Sequence, residues 1–172
     1  MEQVVLSLGT NSGDRPQNMY HMEAELAEVL VAPLRRSSLM ETAHVGEGVR
    51  PPYYNRLLRG GYAGSPRELL LRCQAIEVKL GRTRKGLFAA RTADIDILLF
   101  GSREIDDEGL IIPHPRMLDR RFCIAGLAEI AGELGIPGIP GTIDGAAPRL
   151  LLRAGGQEIT FIKDQSRKEL PS

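Results

Sequence analysis

The run Asp94-Ile95-Asp96-Ile97-Leu98-Leu99-Phe100 is the most constraining stretch of this chain. Its branched and aromatic apolar residues read as a strand, the plainest in the sequence. Successive strand side chains point to opposite faces, so Asp94 and Asp96 share one face, ~6.5–7 Å apart along the backbone. Two carboxylates side by side repel each other unless something positive sits between them. A hard divalent cation such as Mg2+ meets that need, and Mg2+ in turn commonly carries a phosphate. Neutralisation by arginines or backbone amides is the alternative.

The residues before the pair favour phosphate. Residues 77–91 hold Lys79, Arg82, Arg84, Lys85 and Arg91 against Glu77 alone, a local charge of +4 in a chain whose formal net charge is zero. With no overall basic field, nucleic acid is not an expected partner. At 172 residues the chain is long enough for one domain with a real core. Residues 1–163 are expected to form it, with 164–172 a polar, frayed tail. Cys73 and Cys123 lie in amphipathic helical patterns as small core residues, which suits a reducing compartment. There is no basic, apolar leader at the N-terminus and no run of 18 apolar residues, so the expectation is a cytoplasmic monomer without a membrane partner.

Local signals order the rest. Val4 to Leu8 reads as a strand. Asp14 caps a helix started by Pro16, with Met19, Met22, Leu26, Val29 and Leu30 at helical spacing and Pro33 as its end. Residues 35–42 read as a second strand and Tyr53 to Ala63 as a third, Gly60-Gly61 marking a bulge or bend. Ser65-Pro66-Arg67-Glu68 is a capping box, and Leu69, Leu70, Cys73, Ile76 and Leu80 form the apolar stripe that follows, stopped by Gly81. Gln74 and Glu77 share its polar side. After the Asp94–Phe100 strand come two short strands about a DDEG turn, a helix capped by Asp119, a short helix near 148–153 and a strand near 158–162. The order β-α-β-β-α-β predicts an α+β fold of the ferredoxin-like, split βαβ kind, with helices on one face of a largely antiparallel sheet and C-terminal additions able to cover the other.

Phosphoryl-type transfer needs mainly positioning and charge neutralisation, so metal carboxylates and arginines are the parts to expect. Arg82, Arg84, Lys85 and Arg91 supply one cluster, and His114 with Arg116, Arg120 and Arg121 a second. No GxxxxGK[ST] or GxGxxG occurs, so an ATP user here employs another scaffold.

Gly9-Thr10-Asn11, Glu41-Thr42, Tyr53-x-Asn55, Glu77 with Gly81-Arg82-x-Arg84, Arg91-x-x-Asp94-Ile95-Asp96, and Pro113-His114-Pro115-Arg116-Met117 through Arg120-x-Phe122 follow in that order. In this the chain resembles the 6-hydroxymethyl-7,8-dihydropterin pyrophosphokinase family, over residues 4–131. The resemblance implies transfer of pyrophosphate from ATP to the pterin hydroxymethyl group, giving AMP and the pterin diphosphate. It implies that Asp94 and Asp96 hold two Mg2+ ions and that Arg82 and Arg91 serve the reaction with them. Gln74, Glu77, Arg82, Arg84, Arg91, Ile97, His114 and Arg120 would contact ATP, Ile97 near the adenine. Tyr53 and Phe122 would sandwich the flat pterin, Thr42 and Asn55 would bond its amide-like edge, and Val45, Phe88 and Asp94 would line the same pocket.

The chain departs from the family pattern where Leu87-Phe88-Ala89-Ala90-Arg91 replaces a basic residue, an aromatic and Gly-Pro-Arg, and where Ala43-His44 replaces a common Pro-Pro. Ile111 also stands where a small polar residue is common. With these departures the expectation is an active enzyme with a slower or looser closing step. Two rival classes are a non-catalytic binding module, which would need neither acidic pair nor arginines, and a Mg2+-dependent nuclease or phosphohydrolase, for which the chain offers no third nearby carboxylate.

Overall fold

A computed structural model of the protein describes residues 1–43, 51–81 and 91–163. In chain order the elements are β1 (Glu2–Thr10), α1 (Arg15–Ala27), β2 (Val31–Arg36), β3 (Leu39–Thr42), β4 (Tyr53–Tyr62), α2 (Pro66–Lys79), β5 (Asp94–Phe100), β6 (Ile105–Asp107) and β7 (Leu110–Ile112). A 3-10 turn (Met117–Asp119), α3 (Arg121–Ala131), β8 (Gly135–Ile136), β9 (Ile139–Thr142), α4 (Ile143–Arg153) and β10 (Ile159–Ile162) complete them. The sheet runs β10-β3-β4-β1-β5, with β2 also on β4, and every pairing is antiparallel. Its β3-β4-β1-β5 part, with α1 and α2, is the expected ferredoxin-like arrangement.

Both faces of the sheet are covered, which is why β1 is apolar on both sides. Val4, Leu6 and Leu8 pack with Met19, Met22 and Leu26 of α1 and Leu69, Cys73 and Ile76 of α2. Val5 belongs to the opposite core, with Met40, Leu57, Leu98, Phe122, Leu127 and Ile130. Helix α4 packs outside α3 through Ile124, Ala146, Ala147 and Leu150. The C-terminal additions therefore do cover the second face. At the sheet's far edge β10 lies on β3, with Ile159 opposite Thr42 and Phe161 opposite Met40. Among the described residues no helix is long and apolar enough to cross a membrane.

The capping box of α2 forms as expected: Glu68 N–H donates to Ser65 Oγ at 3.3 Å and Ser65 N–H to Glu68 Oε2 at 2.7 Å. Gly81, at φ +86°, follows that helix in a conformation that side chains disfavour.

Five local readings change. Helix α1 stops at Ala27, and Pro33 lies inside β2 rather than ending the helix. The single strand expected over 35–42 is two, because Ser37 turns aside to pair with Leu57: its N–H donates to Leu57 O at 3.0 Å and its Oγ accepts the Leu57 N–H at 2.9 Å. Gly60-Gly61 is regular against β1, and the irregularity sits on β2, between Val31 and Arg35. Gly60 serves close approach instead, since a Cβ there would come within 2.6 Å of Leu34 Cδ2 and 3.1 Å of Leu30 Cβ. Asp119 closes the 3-10 turn, and α3 starts after Arg120 with no side-chain cap. The final helix begins earlier than expected, at Ile143, where Thr142 Oγ1 accepts the Gly145 N–H at 3.3 Å and Pro148 falls inside the helix. The hairpin β8–β9 had no clear local signal.

Cys73 and Cys123 sit in the two different cores, on opposite faces of the sheet, and both are free. Burial pushes each thiol up to about 12. At about pH 8 neither should react with an aromatic disulfide reagent while the chain is folded, because the thiolate is the reacting species. The titrated thiol count should rise from none to two in denaturant; a reactive thiol in the native protein would contradict the packing.

Candidate active site

The first three residues of β5 anchor the site. Gly9 of β1 lies opposite Asp94, and Ser7 opposite Asp96. Ile95 and Ile97 turn into the α1–α2 core at 5% exposure, which sends both carboxylates to the other face. There the side chains of Asp94 and Asp96 remain 16% and 30% exposed.

Each carboxylate meets a guanidinium. Arg91 Nη1 donates to Asp94 Oδ2 at 2.7 Å, and Arg120 Nη1 to Asp96 Oδ2 at 3.3 Å. His114 adds a third group: its Nδ1 accepts the Arg116 N–H at 3.2 Å, which leaves the proton on Nε2, 3.7 Å from Asp96 Oδ2. Burial pushes the His114 imidazole below its ordinary value, and the Asp96 carboxylate offsets only part of that. At neutral pH His114 is therefore an uncharged donor.

The pair borders a groove on one side and bare backbone on the other. Asp96 and His114 line a groove of about 260 Å³ whose apolar walls include Leu70, Ile97, Leu110 and Ile111. On Asp94's other side, Gly9 separates it from Asn55: a Cβ on Gly9 would sit 3.8 Å from Asp94 Cβ and 3.4 Å from Asn55 Oδ1. That bare strip of backbone leaves room for something flat. Asn55 Nδ2 donates to Thr42 Oγ1 at 2.8 Å in a buried pair. Tyr53 precedes Asn55 by two residues on the same face and is half-buried. Phe122, at 5% exposure, belongs to the core on that face.

Two expectations need adjusting. Glu77 does not share an outward polar side with Gln74; it is buried, and its Oε1 accepts the Ile95 N–H at 2.7 Å. The residue between the two aspartates is thus braced from α2. Gln74, one turn beyond Leu70, is half-buried and does not line the groove. Arg82, Arg84, Val45 and Phe88 lie outside the described residues. Lys85, His44 and the Leu87-Ala89-Ala90 departures do too.

Asn11 was only part of a motif in the sequence, yet it brackets Arg91 from both sides. Asn11 N–H donates to Arg91 O at 3.0 Å, and Arg91 N–H donates to Asn11 Oδ1 at 2.8 Å. Thr10 Oγ1 reaches the same carbonyl at 3.3 Å. Its position straight after a strand that ends in Gly-Thr was the available signal.

Asp94 and Asp96 offer two hard oxygen donors with partial solvent access, and no cluster of three or more His, Cys, Asp or Glu that could hold a metal ion occurs among the described residues. That donor set fits Mg2+, which keeps several waters and takes one or two carboxylates.

Known proteins resemble the chain in both sequence and fold. The family model described as 7,8-dihydro-6-hydroxymethylpterin-pyrophosphokinase (HPPK) matches residues 5–132. The chain is 41% identical over 130 residues to the 2-amino-4-hydroxy-6-hydroxymethyldihydropteridine pyrophosphokinase of Bacillus subtilis, covering 75% of this chain and 78% of that one. It is 36% identical to the folate synthesis bifunctional protein of Arabidopsis thaliana over 76% of this chain, and spans only 27% of that longer protein. In fold it resembles the crystal structure of Plasmodium falciparum HPPK-DHPS, with TM-score 0.66 at 14% identity, over 88% of this chain and 46% of that one.

Proposed function

The chain belongs to the 7,8-dihydro-6-hydroxymethylpterin-pyrophosphokinase family, and we propose that it transfers pyrophosphate from ATP to 6-hydroxymethyl-7,8-dihydropterin in folate biosynthesis. The observation that carries this reading is the placement of the acidic pair. Asp96 borders an apolar groove and Asp94 borders the Gly9–Asn55 floor, so a bridge between two different ligands would cross both carboxylates.

In this reading the adenine enters the groove beside Ile97 and Ile111, with its phosphates toward Asp96 and His114. The pterin lies over Gly9, its amide-like edge read by Asn55 and Thr42 and its rings beside Tyr53 and Phe122. The hydroxymethyl oxygen attacks the β-phosphorus, the bond from that phosphorus to the α-phosphate oxygen breaks, and AMP leaves while the oxygen gives up its proton. Arg91 and Arg120 are held at the carboxylates, within reach of phosphate oxygens that gain charge as that bond breaks. Neutral His114 donates Nε2–H toward the same place. Asp94 and Asp96 would hold Mg2+, which supplies charge neutralisation and orientation of the triphosphate. Binding energy goes to alignment, the main requirement of phosphoryl-type transfer.

The test is incubation with ATP, Mg2+ and the hydroxymethyl dihydropterin, separating the nucleotides by chromatography. AMP and pterin diphosphate should appear in equal amounts and only when the pterin is present. ADP and phosphate formed without pterin would instead favour a phosphohydrolase.

A further inference from the structure

Arg15 is the first residue of α1, at the positive end of the helix dipole, where a cation is disfavoured; beside it the Asp14 carboxylate caps the helix, accepting the Gln17 N–H at 3.1 Å. Its guanidinium turns instead to the sheet. Nη1 donates to Glu41 Oε2 at 2.8 Å and to Pro52 O at 2.8 Å, and Cζ lies 4.1 Å from the centre of the Tyr54 ring. One side chain thus grips both strands of the β3–β4 ladder.

That ladder has three rungs: Met40 with Asn55, Glu41 with Tyr54, and Thr42 with Tyr53. It stops at the third because Pro51 and Pro52 have no N–H to extend it. Alternation places Glu41 and Tyr54 on the α1 face and Thr42, Tyr53 and Asn55 on the opposite face. Tyr54 accordingly packs against the α1–α2 core, while Met40, the rung partner of Asn55, belongs to the other. Any shift of the Glu41–Tyr54 rung moves the residues on either side of it. The three contacts of Arg15 tie together the strand ends on which Thr42 and Tyr53 sit.

We propose that Arg15 is a positioning residue for pterin recognition: from the far face of the sheet it fixes the rung between the residues that read the ring. This inference rests on the assignment of Thr42, Tyr53 and Asn55 to the pterin. Lysine could replace it only in part: one nitrogen, Nη1, serves both Glu41 and Pro52, which an ammonium could also do, but lysine has no planar group to lie over Tyr54.

The test uses the full chain with Mg2+ and a non-hydrolysable ATP analogue, titrated calorimetrically with the hydroxymethyl dihydropterin, and separately titrates the analogue. Arg15→Ala should weaken pterin binding about ten-fold, a misplacement effect, with the analogue bound as in wild type and the KM for pterin raised at unchanged kcat. Arg15→Lys, which keeps the donors and loses the plane over Tyr54, should fall between Arg15→Ala and wild type. Arg36→Ala, which breaks a remote contact to Glu23 at 2.9 Å, should lower Tm without singling out the pterin. Equal pterin affinity in wild type and Arg15→Ala would overturn the inference, as would parallel loss of both ligands in proportion to Tm. No pterin binding by wild type would overturn the pterin reading itself, and the inference with it.

Discussion

Asp96→Ala should leave the chain folded and lower pyrophosphoryl transfer by about a thousand-fold, the scale expected when a metal carboxylate is lost from a site that works by charge neutralisation. The fold should tolerate the change because the side chain is 30% exposed near the start of β5 and is not part of either core. Ile95 and Ile97 on either side hold the strand in place, and Glu77 still accepts the Ile95 N–H. Three functions would go together, however: the proposed ligand for Mg2+, the acceptor for Arg120 and the acceptor facing His114. Asp96→Asn keeps the shape and removes the charge, so it should be nearly as inactive. Turnover by either variant close to wild type, with Tm unchanged, would remove Asp96 from the metal site.

The largest expected loss of stability lies elsewhere. Glu23 is on the buried side of α1 between Met22 and Leu26, at 6% exposure. It accepts from Arg56 Nη1 of β4 at 2.6 Å and from Arg36 Nε of β2 at 2.9 Å, with Arg56 itself at 5% exposure. Glu23→Ala deletes the carboxylate but leaves the Arg56 charge inside, a change that costs about 3–5 kcal/mol when a buried pair is broken from one side. At roughly 2–4 °C per kcal/mol for a domain of this size, Tm should fall by about 10 °C. Glu23→Gln should lie between the two. A fall of under about 2 °C in Glu23→Ala would mean that the pair is hydrated and contributes as little as a surface bridge.

The parts of the fold that were legible beforehand carry their signal within a few residues. The Ser65–Glu68 box, the Gly81 stop and the Asp94-x-Asp96 alternation are local chemistry, and each appears where it was expected. The break between β2 and β3 was not legible, since it depends on Ser37 meeting Leu57 across the sheet. The same limit governs charge. Patterning assumes that an ionised residue faces water, yet Glu23, Arg56, Arg59 and Glu77 are all buried against partners distant in sequence.

At the site, the acidic strand, Thr42, Tyr53 and Asn55 were visible as motif residues. The brackets behind them were not. Asn11 acts on Arg91 from 80 positions away, and Arg15 on Glu41 from 26. No local pattern around Arg15 points to the sheet beneath it.

The antiparallel seat of β10 on β3 has a practical consequence. Ile159 lies opposite Thr42, and the only link from α4 to that strand runs through Gly155 and Gly156, whose surroundings would leave an added Cβ without a contact within 4 Å. Such an open glycine pair is a natural point for proteolytic nicking. A single cut there would let the last strand leave and bare the outer edge of β3, while the groove beside Ile97 and Ile111 kept its walls. A clipped preparation should therefore still retain nucleotide on an affinity column and yet fail to discriminate among pterins, a defect that mass measurement of the purified chain would explain before any kinetic cause was sought.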